Sequence, residues 1–280
     1  MIISYDLNNF QKINELKEPK VLVFRHIFDK YKKRDLILSA TEEKIIKVWS
    51  FNNFECLFKC QVNYQNIYSV CFLDNNKQIF ILASSFHDYG CTGKPHKIKV
   101  FDLNGNKIKE INDSKDQTRI IDYFYDNKLL KFFIITGNTN YVKSFDFNKN
   151  KIYHKYYDKT VGSSYLGIGS IIIDQKNYIT KIIHSDYSNS IRIWDFHSGK
   201  LLKKYNNFSN SYGLCLLNEK YLLVGNYSNI KILDLEEEKI INDKNNNDYE
   251  NPKNDVVNIK KNSSSKIRLL YHISYDKQCN

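Results

Sequence analysis

The chain of 280 residues has only 3 prolines and 10 glycines, against an abundance of Lys, Asn, Ile, Tyr and Phe. Such a skew is expected of an A+T-rich genome, so the formal charge of +11 is not in itself a sign of an acidic partner. No apolar run approaches the roughly 18 residues of a membrane span, and no membrane partner is expected. The opening MIISYDLNNF lacks a basic segment followed by an apolar one, so no secretory leader is expected. The expected compartment is the cytoplasm, with the nucleus as the alternative. In a reducing compartment Cys56, Cys60, Cys71, Cys91, Cys215 and Cys279 are expected as free thiols. Also missing are a glycine-rich phosphate loop, a Gly-x-Ser-x-Gly elbow and a His-Glu-x-x-His helix. The chain is expected to be no enzyme and to use no cofactor.

What is present is repetition. In SIRIWDFHSGKLLKKY, from Ser190 to Tyr205, two sets of residues alternate with the period of a strand, Ser198-Gly199 supplies a turn, and Leu201 and Leu202 resume. That is a β-hairpin. Weaker copies run from Lys97 to Ile111, Tyr141 to Lys155 and Asn229 to Ile241, with more distant ones at Lys44 to Phe58 and Ile2 to Ile13. Their large apolar residues are Tyr5, Trp49, Phe101, Phe145, Trp194 and Leu233, one in every ~40 to 50 residues, the spacing of a repeat array. Two further strands precede most hairpins: near Val21 to Phe28 and Asp35 to Ser39, Ile67 to Leu73 and Gln78 to Ser84, Ile120 to Tyr125 and Lys131 to Ile135, Gly167 to Ile173 and Ile179 to His184, and Tyr212 to Leu217 and Tyr221 to Val224.

The run apolar, basic, apolar, Trp, Asp in Ile191 to Asp195, with Asp186 in the preceding turn, resembles the third strand of a WD repeat. The chain is thereby identified as resembling the WD-repeat β-propellers, although their Gly-His pair is absent. The resemblance implies an all-β fold of four-stranded antiparallel blades in one domain over residues 1–280. Six blades are expected, seven being the alternative. The N-terminal hairpin would share one composite blade with strands near Val256 to Ile259 and Ile267 to Ile273, closing the ring. The Asn-rich stretch 242–254 is expected to be a mobile loop.

Trp49, Phe101, Phe145 and Trp194 occupy matching positions and are expected to pack blade against blade. The resemblance further implies that Ser185 and Asp186 hydrogen-bond towards Trp194, with Asp195 completing the signature dipeptide. Glu42, Asn138 and Asn226 stand at the corresponding turns of other repeats, which implies weaker turn locking there. Lys47, Lys99, Lys143 and Lys231 fall at alternate strand positions and are expected on a solvated surface. Cys56 and Cys60, four residues apart beside an outer strand, are expected to face the same side and do not form a CxxC redox pair.

His87, Cys91 and His96 could offer two imidazoles and a thiolate to zinc, but no fourth ligand lies at a familiar spacing, so loop 84–97 is read as an enlarged connection and no metal is expected. WD-repeat proteins commonly bind partners on the face formed by loops joining second to third strands and fourth to first. Tyr64, His87, Tyr89, His96, Tyr141, Tyr165, Tyr187, Tyr212 and Tyr227 fall there, and tyrosine suits a binding surface. The expected function is a non-catalytic scaffold or adaptor docking a protein or peptide, monomeric or within a larger complex. The alternatives are a nucleic-acid-associated propeller using its basic surface and a metal or enzyme site at loop 84–97.

Overall fold

The computed structural model describes residues 2–5, 11–16, 21–62, 66–86, 96–114, 118–138, 141–158, 168–176, 178–186, 189–208, 211, 213–217, 220–226 and 230–243. These residues form strands and turns and no helix. A two-stranded hairpin, β1 (Ile2–Tyr5) and β2 (Lys12–Leu16), comes first. Five four-stranded antiparallel sheets follow. The first holds β3 (Val21–Asp29), β4 (Arg34–Thr41), β5 (Ile45–Ser50) and β6 (Cys56–Gln61). The second holds β7 (Asn66–Asp74), β8 (Ile79–Phe86), β9 (His96–Asp102) and β10 (Lys107–Ser114), and the third β11 (Ile120–Asp126), β12 (Lys131–Gly137), β13 (Val142–Asp146) and β14 (Lys151–Tyr156). The fourth is β15 (Ile168–Lys176), β16 (Ile179–Asp186), β17 (Ile191–Asp195) and β18 (Leu201–Tyr205), and the fifth β19 (Gly213–Leu216), β20 (Tyr221–Gly225), β21 (Ile230–Asp234) and β22 (Ile240–Asp243).

In every sheet the strands pair in chain order, and the first strand of each sheet lies against the first strand of the next. Successive sheets therefore stack face to face along a common line of first strands, a β-propeller-like arrangement. The side-chain period of two sends alternate residues to opposite junctions. On β12, Phe133 and Ile135 join the core shared with the fourth sheet, whereas Ile134 joins the core shared with the second. Four such cores fill the junctions between the five sheets. A smaller one joins Leu16 of the N-terminal hairpin to Ile37 and Trp49 of the first sheet. The strands expected near Val256 to Ile259 and Ile267 to Ile273, and most of the stretch 242–254, lie outside the described residues.

Two local devices repeat in the hairpins. The residue after the large apolar one is Asp102, Asp146, Asp195 or Asp234, and its carboxylate accepts backbone N–H groups of the following turn: Asn104 and Asn106, Asn148 and Lys149, Ser198, and Glu236 and Glu237. An Asp at this point closes the turn as an Asx cap, which explains why Trp-Asp, Phe-Asp and Leu-Asp are interchangeable here. Each turn then passes through a left-handed residue, Phe54, Gly105, Asn150, Gly199 or Glu238; at Gly105 (φ 88°) an added Cβ would stand 2.3 Å from the Phe58 ring.

The second device is a β-bulge. Opposite Trp49, Phe101, Phe145, Trp194 and Leu233 the fourth strand inserts one extra residue, namely Leu57, Ile108, Tyr153, Leu202 and Ile241. The bulge corrects the expectation for the β6 thiols. Cys56 pairs with Trp49 and Cys60 with Ile46, and the extra residue between them reverses the parity, so the two cysteines face opposite sides of the sheet. Cys56, Cys60, Cys71 and Cys215 are free thiols.

Candidate interaction surface

The large apolar residues of the repeat all point to the preceding junction. Phe101 packs with the first sheet, Phe145 with the second, Trp194 with the third and Leu233 with the fourth, while Trp49 meets Leu16. Trp49 is further tied by its indole, whose Nε1 donates to Ser39 Oγ at 2.9 Å. Ser39 pairs across the sheet with Lys47, two residues before Trp49. In the fourth sheet the same register puts His184 opposite Arg192, two residues before Trp194. His184 takes the place of the serine.

This substitution overturns the expectation that Ser185 and Asp186 bond towards Trp194. Ser185 pairs with Ile191, on the other face of the sheet, and its hydroxyl donates to the Ser211 carbonyl at 2.8 Å. Asp186 instead accepts from Ser190 Oγ at 3.2 Å and pairs with the Arg192 guanidinium. Trp194 stacks on the His184 ring, with centroids 6.2 Å apart and planes 8° from parallel. The indole Nε1 of Trp194 and both ring nitrogens of His184 have no hydrogen-bond partner among the described residues. Burial, aided by the neighbouring Arg192 charge, lowers the imidazole from 6.5 to about 3, so it is neutral.

The basic position two residues before the large apolar one also departs from expectation. Lys143 is 3% exposed and Arg192 2%, so neither lies on a solvated surface. Lys143 Nζ lies 3.0 Å from Asp113 of the second sheet, and Arg192 Nε lies 3.0 Å from Asp158, which follows the third. Ile111 pairs with Ile98 and Tyr156 with Val142, so Asp113 and Asp158 each lie two residues beyond an equivalent point of a fourth strand. Cation on one sheet and carboxylate on the previous one thus form a repeated buried connector. At the first and fourth junctions the corresponding residues are Val62 and Asn207. There Lys99 and Lys231 remain partly exposed, and desolvation lowers the Lys99 ammonium below its ordinary value. Asn138, expected to lock its turn weakly, is fully buried and donates through Nδ2 to Asp113 at 3.4 Å. Across the third junction, Tyr156 Oη donates to the Phe196 carbonyl at 3.0 Å.

Of the residues expected on the loop face, Tyr64, His87, Tyr89, Tyr165, Tyr187, Tyr212 and Tyr227 lie outside the described residues, as does Cys91. His96 opens β9. Tyr141 is buried at 7% exposure, with the ammonium groups of Lys155 and Lys143 at 3.7 and 4.9 Å from its ring centroid; it faces these lysines and does not stand free for a partner. A cleft of about 470 Å³ opens between the fourth and fifth sheets, lined by Tyr205, Phe208, Leu233 and Ile240 with Lys204 and Glu238 at its polar margin. The Tyr205 hydroxyl there is buried without a hydrogen-bond partner among the described residues.

The opposite end carries the turns between first and second strands and between third and fourth. There Tyr31 Oη donates to Asp74 at 2.7 Å and the Lys30 ammonium lies 2.9 Å from the same carboxylate, linking the first sheet to the second. His154 Nε2 lies 2.7 Å from the His197 carbonyl, and His197 Nε2 3.4 Å from Asp126, linking third and fourth. Lys32, Lys33, Lys77, Lys128, Lys149 and Lys200 are exposed at this end. The strand-based reading of charge missed this gathering because these lysines sit in turns. Their signal is a lysine within two residues of a strand end.

No protein-family model and no curated protein matches the chain. Solved structures do: 1250 chains match in fold. One is the crystal structure of the computationally designed Ika8 protein, with a TM-score of 0.58 and 16% identity over 83% of this chain. The chain spans 64% of that designed protein's length. At that identity the likeness concerns the fold alone, and by fold this chain is similar to a designed protein as an all-β assembly of repeated four-stranded antiparallel sheets.

Proposed function

We propose that the chain is a WD-repeat-like propeller of six blades, the sixth completed by N- and C-terminal strands, and that it works as a non-catalytic scaffold in the cytoplasm. Its partner is a protein or peptide, docked on the face formed by loops from second to third strands and from fourth to first. The observation that carries this reading is the use of buried polar groups as connectors. Asp113 with Lys143, Asp158 with Arg192, and Tyr156 with the Phe196 carbonyl each join one sheet to the next. Polar side chains committed to holding sheets together leave the loops as the variable surface of a rigid frame. All nine residues singled out for that face are Tyr or His; Tyr141 is buried, and Tyr64, His87, Tyr89, His96, Tyr165, Tyr187, Tyr212 and Tyr227 fall in sequence in or beside such connections.

The test is capture of partners from native extract by wild type and by a Tyr187→Ala/Tyr212→Ala variant. A partner lost from the variant at unchanged melting temperature supports the reading. One retained in full by the variant, or binding to RNA stronger than that of an unrelated basic protein in moderate salt, removes it.

A further inference from the structure

The end of the molecule opposite those loops carries side chains that the fold does not use. Leu130 and Tyr178 stand at equivalent turns between the first and second strands of the third and fourth sheets. They are 71% and 75% exposed, and Ile179 beside them is 53% exposed. Both hold left-handed backbone, φ 53° at Leu130 and φ 65° at Tyr178, which favours Gly, Asn or Asp over larger side chains. The first sheet has Lys33 at the position of Leu130, at φ 49°, with a charged and solvated side chain. Leu130 and Tyr178 thus combine an unfavourable backbone with apolar exposure, a combination that marks a site kept for something outside the fold.

The two turns adjoin. Gln175 Nε2 donates to the Tyr125 carbonyl at 2.9 Å, and Thr180 Oγ1 to Asp126 at 3.3 Å. Lys128, Lys149, Lys176 and Lys200 are exposed around them. The nearby carboxylates of Asp126 and Asp146 are buried and that of Asp195 half-buried, each turned into the N–H groups of its own turn. The groups that reach solvent are therefore apolar at the tips of the patch and mostly cationic at its rim.

We propose that this end docks on the surface of an anionic lipid bilayer. Aliphatic Leu130 and Ile179 have nothing to offer phosphates or base faces, so a nucleic acid would engage the lysines alone. A bilayer interface accepts all three kinds of group: aliphatic tips at the acyl boundary, Tyr at headgroup level and Lys on lipid phosphates. Contact of this kind needs no spanning segment. It uses the end opposite the loops of the scaffold reading, so either can fail alone.

Flotation with phosphatidylcholine vesicles, with and without about one-third phosphatidylserine, tests it on the whole chain. Wild type is expected to float with the anionic vesicles and not with the neutral ones, less so as salt rises. Leu130→Asn/Tyr178→Asn is expected to melt no lower than wild type, because Asn suits the left-handed backbone, and to lose vesicle affinity about tenfold or more. The proposal is overturned if wild type shows no preference for anionic vesicles or if the double variant binds them as well as wild type. It falls equally if a single-stranded oligonucleotide competes wild type off the vesicles and binds both proteins alike, which would make the lysine rim a nucleic-acid surface.

Discussion

The Lys143 ammonium meets the Asp113 carboxylate at 3.0 Å across the junction of the second and third sheets, with both side chains almost wholly out of water. Thr118 and Asn138 also donate to that carboxylate, and Lys143 donates to the Asp113 carbonyl at 3.0 Å. A buried pair of this kind is costly to break one-sidedly, because the surviving charge keeps its desolvation cost and loses its partner.

Asp113→Ala should therefore lower stability by about 3 to 5 kcal/mol, and Asp113→Ala/Lys143→Met should recover part of that loss. Urea unfolding of the four members of this cycle checks it. Equal losses in the single Asp variant and the double variant would show that the lysine carries no buried charge.

The two tryptophans should respond differently to loss of the indole N–H. Trp49 Nε1 donates to Ser39, whereas Trp194 Nε1 has no partner among the described residues. Trp49→Phe should thus cost about 1 kcal/mol more than Trp194→Phe, and Ser39→Ala about 1 to 3 kcal/mol by leaving a buried donor unpaired. Trp194→Ala, which empties the junction of its largest ring, should cost about 3 to 5 kcal/mol. Denaturant midpoints of the four variants decide the order; a Trp194→Ala protein as stable as wild type would overturn the packing described here.

His184 should make stability depend on acid. Its folded value is lowered from 6.5 to about 3 by burial and by the Arg192 charge. Between those values the unfolded chain binds a proton at this site that the folded chain does not. Stability should fall as pH drops through that window, by up to about 1.4 kcal/mol per pH unit from this group. The difference in unfolding free energy between wild type and His184→Leu, measured at pH 7 and pH 5, isolates the contribution. A difference that does not change with pH would show that the imidazole is not held neutral.

The N-terminal hairpin should be required for a closed core. Leu16 packs on Ile37 and Trp49, so removing residues 1–16 uncovers a tryptophan and the outer face of the first sheet. The truncated chain should aggregate or lose cooperative unfolding, and Leu16→Ala should cost about 2 to 5 kcal/mol. Light scattering and thermal melts of both proteins suffice; a truncated chain that stays monomeric and melts like wild type would contradict it.

The hairpins were legible because strand alternation, a large apolar residue and a turn-closing Asp coincide within a few positions, as in Phe145 and Asp146. The aspartates carried more signal than the single Trp-Asp pair implied, since Asp102, Asp146 and Asp234 make the same turn contacts as Asp195. The fate of Lys143 was not legible. Its burial depends on Asp113, 30 residues earlier, and no local pattern distinguishes it from the partly exposed Lys99. Ser185 was misread by one position, because period two puts it on the face away from Trp194 and gives that face to His184. The opposite sides of Cys56 and Cys60 followed from a bulge, a change of parity that four-residue spacing alone does not reveal. The turn lysines and the exposed Leu130 and Tyr178 sit between strands, where no side-chain period marks them.

The bulges also bear on what the protein avoids. Every fourth strand is the outermost strand of its sheet and pairs with no further strand among the described residues. A flat apolar edge would template the addition of strands from other molecules and grow into a fibril. Because two residues stand against one opposite Trp49, Phe101, Phe145, Trp194 and Leu233, an incoming strand meets a break in the ladder after a few bonds. Each edge thereby offers an incoming strand only a short run of ladder, a guard against the strand addition that a chain so rich in Ile and Tyr invites.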